Sequence, residues 1–290
     1  MKKENFNEEC PYLNILNRPE YNSMKESIGD DICLLVVHGS RAYGTNHLDS
    51  DFDIKGVYIE SVEEMVGLKN VFDKKAKTFD SPETDIQVHP LNKFLKLALK
   101  SNPTILEILF VPDDCVIYAN NIGKCLLQIR DIFLTQNIKH GIKGFAKNEL
   151  YRVLRNKDMN DEDSRKKLYK SQMHCLRLIR MGTEALEGKG FNVKRTHDLN
   201  ELVSIRNGKY EDKPIVAGRN KSLMLFSGMD DFNNKMDKEE KLFNLACVNS
   251  KLPEEISDEE LKKLNMLIMS IYINNFDLAK AWSNPIDIED

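Results

Sequence analysis

A chain of 290 residues with 41% hydrophobic side chains is long enough for one large domain or two modest ones around a real core. Its formal charge of -4 excludes a protein that coats nucleic acid through bulk electrostatics, which needs a clear basic excess. No window approaches the roughly 18 uninterrupted apolar residues of a membrane span, and Met1-Lys2-Lys3-Glu4-Asn5 has no apolar stretch behind its lysines. The expectation is therefore a cytoplasmic protein with no membrane partner.

The first 30 residues are polar, interrupted by Pro11 and Pro19, with one short helix expected around Glu20 to Ile28. Ile32 to Val37 is a continuous apolar run between Asp30-Asp31 and Gly39, and it reads as a strand buried on both faces. A second extended segment runs from Asp51 to Ile59, with an irregularity expected at Gly56, and a third strand from Thr84 to His89. Leu91, Phe94, Leu95, Ala98 and Leu99 then recur at helical spacing until Asn102-Pro103, where a helix should stop. Beyond Asn120 long helices are expected and no strands. Leu168, Cys175, Leu178, Ile179, Gly182 and Leu186 form one stripe of a helix ending near Gly188 or Gly190. Asn207 to Asn220 reads as a loop, and Ser257-Asp258-Glu259-Glu260 as a capping box that opens a last helix. The six cysteines are dispersed without a C-x-x-C pair, so neither a zinc site nor a disulfide framework is indicated. Between Lys139 and Arg195 stand 15 Lys and Arg against 7 Asp and Glu, a basic middle that reads either as a surface for phosphates or as solvated helix. The fold class is α+β: a mixed sheet with flanking helices over residues 1–118, then an all-helical domain over residues 119–290.

The informative stretch is His38-Gly39-Ser40-Arg41-Ala42-Tyr43-Gly44-Thr45, followed by Ser50-Asp51-Phe52-Asp53-Ile54-Lys55-Gly56-Val57. Residues two apart on a strand share a face, so Asp51 and Asp53 present two carboxylates together while Phe52 and Ile54 enter the core. Adjacent anions repel unless a cation lies between them, and hard oxygen ligands on a rigid strand suit Mg²⁺, which uses one or two carboxylates plus substrate phosphates and water. Gly39 and Ser40 follow a buried strand and should turn into a short helix whose free N–H groups and hydroxyl can meet phosphate. His38 and His47 flank this run and read as structural.

The order of an apolar strand, Gly-Ser and then D-x-D opening another strand resembles nucleotidyltransferases of the DNA polymerase beta superfamily. The longer run Gly-Ser-Arg-Ala-Tyr-Gly with Ser-Asp-Phe-Asp-Ile-Lys-Gly-Val-Tyr is similar to a branch of predicted nucleotidyltransferases, some described as RNA repair pathway polymerases. The resemblance is centred on residues 30 to 115. It extends through Asn102-Pro103 with Glu107, and through Lys170, His174 and Arg177, which match a K-x-x-x-H-x-x-R pattern. It implies two Mg²⁺ ions (Mn²⁺ as a substitute), a bound nucleoside triphosphate with ATP the leading candidate, and nucleotidyl transfer to an acceptor hydroxyl, an RNA end in the leading case, with release of pyrophosphate.

The same resemblance requires a third carboxylate on a later strand. Asp85 is the candidate, because alternation puts it opposite Ile86 and Val88; Asp80 and Glu83 are its rivals. Asp51 and Asp53 would bridge the ions, with Asp85 on the acceptor side. Gly39 and Ser40 would contact the phosphates, and Arg41 either assists them or pairs with an acid such as Asp49. Lys170, His174 and Arg177 fall on one helix face and could grip the nucleotide from the helical half. The competing reading is a non-catalytic nucleotide- or RNA-binding regulatory module of the same fold, antitoxin-like; the intact acids argue against it.

Overall fold

The computed structural model describes residues 1–61, 76–157, 161–211, 213–217, 222–226 and 228–275. The first helix, α1 (Pro19–Ile28), starts with proline in its first turn, where the missing N–H costs nothing, and is followed by Gly29 at φ 67°. The apolar run then forms β1 (Ile32–Val37), buried at every position. It is central in a five-stranded sheet of order β3-β4-β2-β1-β5, with β2 (Phe52–Tyr58), β3 (Lys77–Ser81), β4 (Thr84–Pro90) and β5 (Val116–Ala119). Only β2 and β4 run parallel; the other pairs are antiparallel.

Two details of the sheet differ from expectation. The β1–β2 register shifts between Ile32 and Leu34, opposite Val57 and Tyr58, whereas Gly56 pairs regularly with Leu35 on one side and Val88 on the other. Gly56 is there for close packing: a Cβ would come within 2.6 Å of Leu35 Cδ2 and 2.7 Å of the Leu34 carbonyl. The strands β3 and β5 were not anticipated. One is a half-exposed edge and the other only four residues long, so neither carries a clear periodic signal.

α3 (Leu91–Leu99) follows the helical spacing as read. Asn102-Pro103, expected only to stop it, also begins α4 (Pro103–Leu109): the Asn102 side chain accepts from Ile105 N at 3.3 Å and proline occupies the first turn. Ser101, at φ 48°, makes the bend between the two helices.

After α5 (Asn121–Gln128), the carboxyl-terminal half is built on α6 (Ile138–Asn156) and α7 (Glu162–Leu186), joined by α8 (Leu199–Arg206), α9 (Gly228–Asn249) and α10 (Asp258–Asn275). The predicted stripe of α7 is buried throughout, and the helix ends just before Gly188 at φ 76°. Ser257 and Glu260 exchange backbone-to-side-chain hydrogen bonds of 3.1 and 3.2 Å, so the capping box opens α10 as read. One correction applies to this half. The segment read as a loop, Asn207 to Asn220, contributes β6 (Lys213–Ala217), which pairs antiparallel with β7 (Ser222–Phe226) in a separate two-stranded sheet. Pro214 and short length concealed it. No helix among the described residues is long and apolar enough to cross a membrane.

Because Gly56 is wedged between two strands, Gly56→Ala should lower stability by about 1–3 kcal/mol through overpacking, read as a shift in the urea midpoint with an unchanged slope.

Candidate active site

β1 delivers the chain to His38, whose N–H donates to the Asp53 carbonyl at 2.7 Å and continues the β1–β2 ladder. Gly39 then turns at φ 63° to start the short helix α2 (Gly39–Tyr43). A Cβ on Gly39 would lie 2.0 Å from Asp53 Oδ2 and 2.8 Å from its Cγ. Glycine is thus needed twice, for the backbone conformation and because the Asp53 carboxylate rests directly on it. The two halves of the sequence motif are one physical object.

Ser40 is half-buried in the first turn of α2, which closes at Gly44, φ 81°. Arg41 follows it in the same helix. Its guanidinium stacks 4.0 Å above the Phe52 ring and donates to the carbonyls of Ser50 (2.6 Å) and Asp51 (3.4 Å), fixing the approach to β2. Phe52 is therefore a half-buried platform, whereas Ile54 enters the core. Arg206 of α8 reinforces the same loop, donating to the Thr45 carbonyl at 2.6 Å and to Ser50 Oγ at 3.4 Å. Burial lowers its basicity, and the nearby Asp49 and Asp51 carboxylates oppose that effect.

Asp53 and Asp85 are direct partners in the parallel β2–β4 register, so both lie on one face, with Asp51 at the exposed lead-in. Asp80 on β3 stands in register beyond Asp85, while Glu83 is turned to Arg18 at 3.1 Å. Lys55, two residues past Asp53 and so on the same face, is buried and places its Nζ 3.1 Å from Asp85 Oδ2. Among the described residues no three His, Cys, Asp or Glu side chains converge into a metal cage. Asp51 and Asp53 nevertheless fit a hard divalent cation of the kind that completes its shell with phosphate oxygens and water: both are carboxylates without a salt bridge among the described residues, and one is braced against Gly39.

Behind α2 lies a buried polar cluster centred on Glu107 of α4. Its Oε2 accepts from Tyr43 Oη at 2.7 Å and lies 3.1 Å from His38 Nε2, and its Oε1 accepts from Arg177 at 2.7 Å. The Arg177 guanidinium also stacks 3.6 Å over the Tyr43 ring, and His174 meets that ring edge-on at 6.0 Å. Burial would raise the Glu107 carboxyl, but Arg177, His38 and Tyr43 override it and hold it well below the ordinary carboxylate range. Burial, with Arg177 and Lys170 adding to it, holds the His174 imidazole well below its usual value and hence neutral.

The cluster floors a cavity of about 500 Å³ between α2, α4, α6 and α7. Lys170, His174 and Arg177 all line it, Arg177 buried, His174 half-buried and Lys170 exposed to solvent at the rim. Arg177, however, is committed to Glu107 and is only 3% exposed. The wall adds Arg152, Arg155 and Lys167. Arg152 pairs with Glu149 at 2.5 Å, whereas Arg155, Lys167 and Lys170 have no salt bridge among the described residues.

Several contributors escaped sequence reasoning. Lys55 could have been found by the alternation that found Asp53. Arg206, and Arg195, whose backbone N–H holds the Tyr43 carbonyl at 3.0 Å, left no local signal. The Arg195 side chain is fully buried, bidentate to Glu184 (2.6 and 2.9 Å) and bonded to Asp198 (3.0 and 3.1 Å).

With this geometry established, a family model described as the RNA repair pathway DNA polymerase beta family (RlaP) matches residues 18–270. The chain belongs to that family. Its sheet, the Gly39 turn, the acids and the α6–α7 pair all fall inside the matched span. The chain is also 28% identical over 109 residues to an uncharacterized 38.9 kDa protein from the nrdC-mobD intergenic region of Enterobacteria phage T4, over 35% of this chain and 32% of that protein. It is 32% identical over 99 residues to the uncharacterized protein YcgL of Bacillus subtilis, over 34% of this chain and 37% of that one. The matches thus span about a third of these relatives. A solved nucleotidyltransferase-like protein from Exiguobacterium sibiricum aligns over 78% of this chain and 73% of its own, at 7% identity and a TM-score of 0.27, too distant to carry an argument.

Two outcomes are expected of this family member. Glu107→Gln should cost about 3–5 kcal/mol in urea unfolding, because it leaves the Arg177 charge buried without its counter-ion. An undiminished midpoint would show that the cluster does not hold the halves together. His89 on β4 is buried with both ring nitrogens unpartnered, and burial, then Lys55 and Lys93, bring it down to about 4. Its folded value lies below the unfolded one near 6.5, so the unfolded chain gains the proton first and stability falls as pH drops through that window. His89→Phe should flatten the loss between pH 7 and 5 by about 2 kcal/mol, measured by denaturant titration at each pH.

Proposed function

We propose that the protein is a divalent-cation-dependent nucleotidyltransferase. It transfers a nucleotidyl group, AMP from ATP in the leading case, to an acceptor hydroxyl, an RNA end in the leading case, and releases pyrophosphate. The observation that carries this reading is the Asp53 carboxylate seated on Gly39, which holds an anionic metal ligand against the turn whose next residue, Ser40, would meet phosphate. Family membership supports the same chemistry. We assign residues 1–118 to the nucleotidyltransferase domain and 119–290 to the helical domain, and a cytoplasmic location goes with six unpaired cysteines.

In this reading Asp51 and Asp53 are the cation ligands and Asp85 is the third acid of the row. A bound Mg²⁺, or Mn²⁺ in its place, would supply activation of the acceptor hydroxyl and charge neutralisation on the leaving pyrophosphate. The acceptor oxygen forms its bond to the α-phosphorus as the bond from that phosphorus to the pyrophosphate oxygen breaks, and the hydroxyl proton leaves to a carboxylate of the row or to water. Gly39 and Ser40 hold the phosphates at the start of α2. Lys170 and His174 receive the nucleotide in the cavity, with Lys170 as a charged donor and His174 as a neutral one. Arg177 acts on the nucleotide through Tyr43, as the buried support of the cavity floor, with its Nη1 donating to Glu107 and its guanidinium stacked on the Tyr43 ring.

One observation favours the competing reading of a binding module without turnover: the ion pair between Lys55 and Asp85 occupies one of the three acids. Incubation with Mg²⁺, α-labelled NTPs and RNA or small-molecule acceptors separates the two. Label transfer by the wild type should fall about 100-fold or more in Asp53→Asn, the scale of removing one transition-state-stabilising group. Lys170→Ala should weaken nucleotide binding about tenfold, as expected for one charge-assisted hydrogen bond. Tight nucleotide binding with no label transferred to any acceptor, in wild type and Asp53→Asn alike, would establish the binding module instead.

A further inference from the structure

We infer that Lys55 stands in for a second metal ion, its ammonium compensating Asp85 so that the site takes a single divalent cation on Asp51 and Asp53. The inference rests on the nucleotidyltransferase reading and departs from the two-ion arrangement which the superfamily resemblance implies.

Three observations carry it. First, the acids are not equivalent. Lys55 Nζ lies 3.1 Å from Asp85 Oδ2, whereas Asp51 and Asp53 carry no salt bridge among the described residues. Second, Lys55 is not a surface lysine free to swing away. Its side chain is 11% exposed, against 42% for Asp85, and it stands on β2 between two flanking strands. Among the described residues Asp85 is its one salt-bridge partner. Withdrawing Asp85 to a metal would leave a buried ammonium uncompensated, one of the costlier changes a folded protein can undergo. Third, the register fixes who can reach whom. Asp53 and Asp85 are direct partners, and Lys55 is the next residue on that face of β2, so its ammonium reaches Asp85 diagonally across the strand pair. A divalent cation using the other oxygen of Asp85 would share that carboxylate with a fixed positive charge and be repelled by it.

The consequence is a division of labour among the acids. Asp51 and Asp53 remain open for one cation that also meets the triphosphate, and a permanent monovalent charge takes the acceptor side. Lys55 is in this sense a positioning residue: it orients Asp85 and supplies charge without binding substrate.

The test counts ions. The full-length wild type and Lys55→Met, matched by circular dichroism and thermal melting, are loaded with Mn²⁺ and a non-hydrolysable ATP analogue. Native mass spectrometry gives the number of ions per nucleotide-bound chain, and electron paramagnetic resonance of the frozen complex distinguishes an isolated Mn²⁺ from an exchange-coupled pair. One ion and a mononuclear spectrum are expected for the wild type, and two ions with a coupled spectrum for Lys55→Met. Two ions in the wild type overturn the inference whether or not the variant folds, as does a folded Lys55→Met chain that still holds one. A wild-type chain that binds nucleotide with no ion overturns it together with the metal-dependent reading, which a two-ion result would leave standing.

Discussion

The structure depends on one buried carboxylate. Glu107 sits on α4, Tyr43 on α2 and Arg177 on α7, and the hydrogen bonds of 2.7 Å that Glu107 accepts from both bring the sheet half and the helical half to one point. Buried ion pairs are weak as sources of net stability, because desolvation offsets most of the attraction. Their value is in specificity of placement: a carboxylate that cannot be left unpaired admits few alternative dockings of α7 against α2. The Arg177 guanidinium lying 3.6 Å over the Tyr43 ring adds a stacking constraint on the same helix. The position of α2, and therefore of Gly39 and Ser40, is set from behind by this cluster and by the Arg195 N–H on the Tyr43 carbonyl.

From the front, α2 is set by Asp53. The carboxylate resting on Gly39 leaves no room for a side chain there, so the turn and the acid constrain each other at the distance of a van der Waals contact. Arg41 and Arg206 then hold the intervening loop by its carbonyls. Cations close to a candidate phosphate site are here consumed by the backbone and by Glu107. Arg155, Lys167 and Lys170, which have no salt bridge among the described residues, stand at the cavity wall contributed by α6 and α7. The basic middle therefore divides: arginines such as Arg177, Arg180 and Arg195 are buried in ion pairs, Arg155, Lys167 and Lys170 line a concavity, and others such as Lys166 and Lys189 are exposed in local pairs.

What was legible in the sequence was whatever a short period or a short motif encodes. The apolar run of β1, the alternation of β2 and β4, the capping box of α10 and the stripe of α7 each involve residues within a few positions of one another. The same rule put Asp85 on the polar face of its strand, and the register sets it opposite Asp53. What was not legible depends on distant pairing. Glu107 meets Arg177 across 70 residues and Arg206 meets Thr45 across 161, and no local pattern announces either. The β6–β7 hairpin failed for a different reason, because five-residue strands with Pro214 near the start resemble loop by composition. Lys55 was overlooked although the alternation contained it, because a lysine between two core residues reads as a solvated strand position until its partner strand is known.

The arrangement of charge across the β2 and β4 face then follows one logic. Asp53 and Asp85 repel one another as direct register partners, and a sheet cannot relieve this by moving them, because register and pleat fix their spacing, while Asp51 adds its charge from the exposed lead-in to β2. The repulsion must be met by cations, either diffusible or built in. At Asp85 the chain uses a built-in one, Lys55, which is shielded from solvent and so keeps its effect at high salt. At Asp51 and Asp53 it supplies none in ion-pair contact among the described residues, and of the two Asp53 is the one that rests on the Gly39 turn. A fold that spends buried arginines freely on structure, yet leaves Asp53 without an ion pair among the described residues against a glycine that only a bare backbone can occupy, concentrates its remaining electrostatic demand where a cation and a phosphate would meet.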